Sequence, residues 1–435
     1  MLRKKIEKAL FEGRLLQVGF KFLRQRLDWL LGCLARYLYA LFTKVDPKQI
    51  FFISFQGDFT CNPKYIANKL IEENVDCKMV FSARKHSIET PDSFPKGVQL
   101  VEQYSADYYK EIAKSKIIIV NSVEFLKKPT WIKRSQILIE TWHGSLGIKR
   151  FDAAVNSGKA WVSAARRCGR RSDYIISNST FEDMVYRTSF WPKTPILQYG
   201  HPRNDILFDE DPDLREAILT AILPEAEADA AEETAEDTAA GSAEELAEAL
   251  SKSAGEPKKV HYLLYAPTFR DSHKLSPYLN DFSQLRRALE TRFGGEWKVL
   301  IRLHPTVRKM AKKYRQNKHA IDVTAYPDIQ ELMMIADAAI TDYSSWIYDF
   351  ILTKRPGFLY VPDLDHYADE RGFYYPLSST PFPLSMSVEE LCQSILEFDE
   401  DAYRKKVDAF LADKGCVEDG HASERIVEKL KEILG

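Results

Sequence analysis

Cysteine is scarce and dispersed. The six thiols, Cys33, Cys61, Cys77, Cys168, Cys392 and Cys416, form no CxxC pair and no Cys/His cluster at zinc spacing, which argues against a structural metal. Dispersed cysteines beside aliphatic-rich strands fit a reducing, cytosolic compartment. A Gly-rich phosphate fingerprint is missing too. IFFISFQGDFT holds only Gly57 after the first strand-like run, so a standard dinucleotide loop or P-loop is not supported. The N-terminal segment lacks a clean apolar core with a small-residue cleavage site, as a secretory signal would have. Asp28 and Arg36 break it well short of the roughly 20 apolar residues that a membrane span needs. Charge of one sign is not in excess: the net charge of -2 argues against a dedicated nucleic-acid binder.

What is present is an ordinary soluble composition, 45% hydrophobic and 29% charged, in 435 residues. That length is too great for one core and implies two domains. Residues 1–45 stand apart. Leu16, Phe20, Leu23, Leu27, Leu30 and Leu34 recur at helical intervals, among many lysines and arginines. A basic amphipathic helix with aromatics suits an anionic membrane surface. A helical hairpin packed on the next domain is the plainer alternative. Residues 224–257 are acidic and almost free of large side chains, so they cannot bury enough surface to order themselves. They read as a solvated insertion in a linker over 209–258, and they offset the basic N-terminus.

Between these segments, strand-like and helix-like runs alternate. IFFISF, KMVFSA, VQLVE, KIIIVNS, QILIE and YIISNS are separated by helix-compatible stretches such as KYIANKLIEEN and ADYYKEIAKS. After the insertion come VHYLLYAPTFR, WKVLIRLHP, AIDVTAY, AAITDYSS and PGFLYVPD, with SQLRRALETRF and IQELMMIA between them. Alternating strand and helix implies parallel, doubly wound sheets. The expected fold is α/β, with Rossmann-type lobes at 46–208 and 259–388 facing across a cleft and helices over 389–435.

In such sheets, ligands bind at the carboxyl ends of the strands, so the polar residues there carry the interest. After QILIE the chain turns through ETWHGSLGIKR, which sets His143 ahead of Lys149 and Arg150. A titratable imidazole followed by cations could activate a hydroxyl near a phosphate. A hydrogen-bonded turn histidine beside a solvated basic face is an equally ordinary reading. Asn121 and Ser177 to Ser179 end neighbouring strands beside it. His201 reads as a turn residue, and Arg203, Asn204 and Asp205 read as hydrogen-bonding a domain end. In the second lobe, Asp342, Ser344 and Ser345 precede a helix whose N-terminus could hold an anion, although Ser-Ser is more often a plain cap. Arg302 and His304 alternate and so share a face; with Arg270 they would form a cationic pocket, arginine forks being suited to phosphate. Asp363 and Asp365 form a lone DxD, assigned here to an ordered loop that also carries Arg371.

Taken in order, TWHG with a following Lys, GxPRND, YAPTFR, RLHP, TDYSS with the later Asp349, RP, and PDxxxY…RGFY resemble the CDP-glycerol glycerophosphotransferases, the teichoic-acid and capsule polymerases and primases. The resemblance runs from about Ile139 to Tyr375 outside the insertion. It implies a GT-B-like fold and transfer of glycerol phosphate, or a related alditol phosphate, from a CDP donor to a hydroxyl of a lipid-linked saccharide or polymer. It also implies a peripheral place on the cytoplasmic face of the cell membrane. By motif match, His143 would be the base and His304 a second catalytic or phosphate-stabilising histidine. Asp342, Ser344 and Ser345 would line the donor diphosphate, with Lys149, Arg270, Arg302 and Arg371 around the charge. No metal or other cofactor is required, although Mg²⁺ could accompany the diphosphate. A nucleotide-sugar glycosyltransferase, a CDP-ribitol ribitolphosphotransferase and a non-catalytic nucleotide-binding module remain as alternatives.

Overall fold

The computed structural model describes residues 27, 30–89, 93–127, 130–147, 149–151, 158–209, 211–223, 259–268, 279, 282–303, 320–364 and 372–435. The acidic insertion and most of the basic N-terminal segment lie outside these residues. So do Arg270, His304, Asp365 and Arg371.

The first sheet runs through β1 (Asp46–Ile53), β2 (Lys78–Ala83), β3 (Gln99–Glu102), β4 (Ser115–Val120), β5 (Ile137–Glu140), β6 (Tyr174–Ser177) and β7 (Ile196–Gln198). Its spatial order is β3-β2-β1-β4-β5-β6-β7, and all its pairings are parallel. The second comprises β8 (Val260–Tyr265), β9 (Glu296–Ile301), β10 (Ala320–Asp322), β11 (Ala338–Thr341), β12 (Gly357–Tyr360) and β13 (Leu384–Ser385), ordered β10-β9-β8-β11-β12-β13. It too is parallel. Both orders reverse next to the lobe's first strand, between β1 and β4 and between β8 and β11, as in doubly wound nucleotide-binding folds.

Alternation along the strands explains why both faces of the first sheet are covered. Phe51, Ile53, Ile118 and Val120 point into one core, and Ile50, Phe52, Ile117 and Ile119 into the other. Each such buried side chain contributes about 1.5–3 kcal/mol relative to exposure. The C-terminal helices divide between the lobes. Tyr403, Val407 and Phe410 of Glu400–Lys414 join the second core. Ile426, Val427, Leu430 and Leu434 of Ala422–Leu434 cross back to the first. Ile218 and Ile222 of Pro212–Ile222, ahead of the insertion, already belong to the second core. The chain therefore crosses between lobes twice.

Candidate active site

A cleft of about 520 Å³ opens where the carboxyl ends of the two sheets face each other. From the first lobe, its lining includes Asp58, Cys61, Asn121, His143 and Lys149; from the second, Thr268, Arg302, Ser344, Ser345 and Asp349. Five of the residues singled out from sequence, His143, Lys149, Arg302, Ser344 and Ser345, thus share one cavity.

His143 is set by the strained turn that ends β5. Trp142 adopts φ 53, a left-handed conformation that disfavours a bulky residue. Among the contacts that hold it there, its N–H donates to Glu140 Oε1 at 2.9 Å, and its buried indole packs against Trp191 and Phe151. Burial pushes the Glu140 carboxyl up to about 8. His143 emerges exposed in the cleft, with its ring stacked on Phe55 at 5.5 Å. Its Nδ1 lies 2.6 Å from the Asn121 carbonyl oxygen. A carbonyl can only accept, so Nδ1 carries the proton and Nε2 is the basic nitrogen. This is the tautomer and anchorage a general base needs.

The turn after His143 is clasped to the second lobe. Lys149 Nζ donates to Thr268 Oγ1 at 3.2 Å, Lys149 forms a β-bridge with Phe373, and the Tyr375 hydroxyl donates to the Leu146 carbonyl. Gly147 permits this approach: a Cβ there would sit 2.8 Å from Ser345 Cβ.

Ser344 and Ser345 do not follow the plain-cap alternative. The helix starts later, at Ile347, with Trp346 at its N-cap and no side-chain cap bond. It is only four residues long, Ile347–Phe350. The two serines line the cleft from the preceding loop instead. Asp342 does not line the cleft. Its carboxylate accepts from the Thr268 N–H at 2.8 Å and from the Tyr343 N–H, so it shapes the loops beneath. Arg302 lines the cleft but donates to the Tyr326 and Pro327 carbonyls at 2.8 and 3.2 Å. Of the lone DxD, Asp363 accepts from the Tyr343 hydroxyl at 3.0 Å, and Asp365 lies outside the described residues. Among the described residues, no group of three His, Cys, Asp or Glu is placed to hold a metal.

A buried link between the lobes joins two of the quoted motifs. Arg203 of GxPRND is 2% exposed and binds Asp349 in a fork, Nε to Oδ2 at 3.0 Å and Nη2 to Oδ1 at 3.3 Å. The same Nη2 donates to the Gly144 carbonyl, next to His143. Asn204 donates to Asp349 at 3.2 Å and to Glu418 at 2.8 Å. Burial raises Glu418 to about 7, against the pull of His201 and the donors from Asn204 and Asn178. Asp205 accepts from the Ala422 and Ser423 N–H groups, at the start of the crossing helix. Arg203, Asn204 and Asp205 are hydrogen-bonded as expected. His201 is more than a turn residue: it is buried, with Nε2 at 3.0 Å from Glu182. Sequence reasoning missed Asp58, Cys61, Thr268 and Gln330 as cleft residues. Their only signal was a place just beyond a strand or at a helix start.

A family model described as CDP-glycerol:poly(glycerophosphate) glycerophosphotransferase matches residues 35–225 and 236–432. The chain belongs to this family. It is 27% identical over 398 residues to the teichoic acid poly(glycerol phosphate) polymerase of Bacillus subtilis (strain 168), covering 88% of this chain and 48% of that protein. To the teichoic acid ribitol-phosphate primase of Bacillus spizizenii (strain ATCC 23059 / NRRL B-14472 / W23) it is 39% identical over 185 residues, 41% of this chain and 46% of that one. This glycerophosphotransferase-family chain thus spans about half the length of either curated relative in these matches. Among solved structures it is similar to the wall teichoic acid polymerase TagF. A histidine-to-asparagine variant of TagF, soaked with CDPG, aligns at TM-score 0.73 and 27% identity over 95% of this chain and 97% of that one.

Proposed function

We propose that this chain transfers glycerol phosphate from CDP-glycerol to a hydroxyl of a polymeric or lipid-linked acceptor and releases CMP, in a teichoic-acid-like or capsular polymer pathway. The observation that carries the reading is His143, with Nε2 as its basic nitrogen, in one cleft with Lys149, Ser344 and Ser345. Family membership supplies the donor class. In this reaction the acceptor oxygen attacks the glycerol-bearing phosphorus. The bond from that phosphorus to the bridging oxygen breaks, CMP departs with the electron pair, and His143 Nε2 takes the acceptor proton. Such transfer depends on positioning and charge stabilisation. Lys149 and the two serine hydroxyls serve the developing charge here, with Arg302 behind them. His304, Arg270 and Arg371, outside the described residues, are assigned to the same phosphates. No step requires a metal; Mg²⁺ with the diphosphate would add to the neutralisation.

A ribitol donor is the second reading, favoured by the 39% identity to a ribitol-phosphate primase. The test is CMP release from CDP-glycerol, CDP-ribitol and a panel of UDP- and GDP-sugars, with a glycerol-phosphate primer. Turnover of a CDP-alditol alone is expected. Turnover of a nucleotide sugar in its place would sink the proposal.

The place of work is the cytoplasmic face of the cell membrane, held peripherally. Among the described residues no helix is long and apolar enough to cross a membrane. The helix over residues 30–42 leaves Leu30, Leu31, Leu34, Leu41 and Phe42 exposed, Phe42 at 79%. Basic residues precede it in the sequence. Apolar area plus cationic charge predicts binding to vesicles containing anionic lipid, weakened by salt. Equal binding to neutral vesicles at any salt would contradict an electrostatic contribution.

A further inference from the structure

The Asn121 side chain has no role in the chemistry above; only the residue's backbone carbonyl does, by holding His143. The side chain is fully buried, and among the described residues neither its amide nitrogen nor its amide oxygen has a geometric hydrogen-bond partner. The neighbouring Cys61 thiol is a weak partner at best. Buried polar side chains are nearly always paired, and an orphan calls for an explanation. Exchanging the amide's nitrogen and oxygen would not remove the deficit, because one thiol cannot satisfy both atoms.

Asn121 ends β4 and Cys61 follows β1, so the pair flanks the point where the strand order of the first sheet reverses. That crevice is where such sheets take their ligands. Both residues line the cleft with His143, which holds the backbone carbonyl of the same Asn121 through Nδ1. The amide is therefore within one residue's reach of the base.

Its chemistry narrows what it can bind. A carboxamide offers N–H donors and a carbonyl acceptor side by side. A phosphate oxygen can use only the former and would face the carbonyl unfavourably. A hydroxyl both donates and accepts, and adjacent hydroxyls can engage both atoms together. We propose that the Asn121 carboxamide binds the hydroxyls of the alditol next to the reacting phosphate, and so determines which polyol the site accepts. The proposal rests on the alditol phosphate transfer argued above. The hydroxyls belong either to the alditol of the donor or to the terminal unit of the acceptor.

The test uses the full chain and Asn121→Leu, which removes both polar atoms but leaves the backbone carbonyl that holds His143. Asn121→Asp, similar in shape but without the N–H donors, repeats the test if the leucine variant does not fold. CDP and CDP-glycerol are titrated without acceptor, and the acceptor KM is then measured with a glycerol-phosphate primer. Affinity for CDP is expected to stay within about two-fold, while either the CDP-glycerol Kd or the primer KM rises roughly 10- to 100-fold. The first result assigns the donor's alditol and the second the acceptor's. The proposal is overturned if all three quantities stay within about two-fold, or if CDP weakens in step with CDP-glycerol. A wild-type chain that neither binds CDP-glycerol nor releases CMP removes the transfer reading and this one with it. A wild-type chain that does both, matched by its variants, removes this one alone.

Discussion

His143→Ala lowers CMP release from CDP-glycerol by about 100- to 10,000-fold, the range a positioned general base supplies. The loss is expected in kcat, with CDP binding little changed, because the imidazole acts on the acceptor proton and not on the nucleotide. The fold should survive, since the ring is exposed and its anchor is a backbone carbonyl. The wild-type pH–rate profile should carry an acid limb that the variant lacks. Near-wild-type turnover by the variant would remove His143 from the chemistry and leave Asp58, on the same cleft wall, as the next candidate base. Burial holds the Asp58 carboxyl above its ordinary value, against the pull of Arg84, His86 and Arg302.

Arg203→Ala destabilises the protein by about 3–5 kcal/mol, as expected when one partner of a buried ion pair is removed and Asp349 is left uncompensated. The denaturant midpoint reads this directly. Arg203→Lys keeps the charge but not the fork to both Asp349 oxygens, so it should recover only part of the loss. Replacing the pair together, Arg203→Met with Asp349→Leu, should be milder than either single loss. The Arg203 variants should also slow transfer, because Arg203 Nη2 holds the Gly144 carbonyl beside the base. A change below about 1 kcal/mol in Arg203→Ala would mean that the fork is not what joins the lobes.

The strand ladder was legible because local chemistry writes it. KMVFSA and SQLRRALETRF span the observed β2 and the helix Ser283–Phe293 without adjustment. Both are bounded runs with one dominant period. The edge strands β7 and β13, three and two residues long, carry too short a pattern to stand out. The cleft was partly legible, because strand ends in doubly wound sheets are its walls wherever they occur. Its cross-lobe pairings were not. Arg203 and Asp349 lie 146 residues apart, and no local pattern says which buried cation meets which carboxylate. The amphipathic face of Ala422–Leu434 showed that it packs, but not that it packs on the far lobe. At Ser344 and Ser345, the habit of serine as a cap is not followed. Trp346 begins the turn instead, its indole tied to the Ala266 carbonyl at 2.9 Å, and the serines are left to the cleft.

The most direct test of the central claim is the identity of the nucleotide released. The full chain would be supplied with CDP-glycerol and a glycerol-phosphate primer, and CMP, CDP and polymer-bound glycerol phosphate measured together. Transfer of glycerol phosphate through the glycerol-bearing phosphorus predicts one CMP for each unit incorporated and no CDP. Release of CDP, with glycerol incorporated but not its phosphate, would place the attack elsewhere and contradict the account.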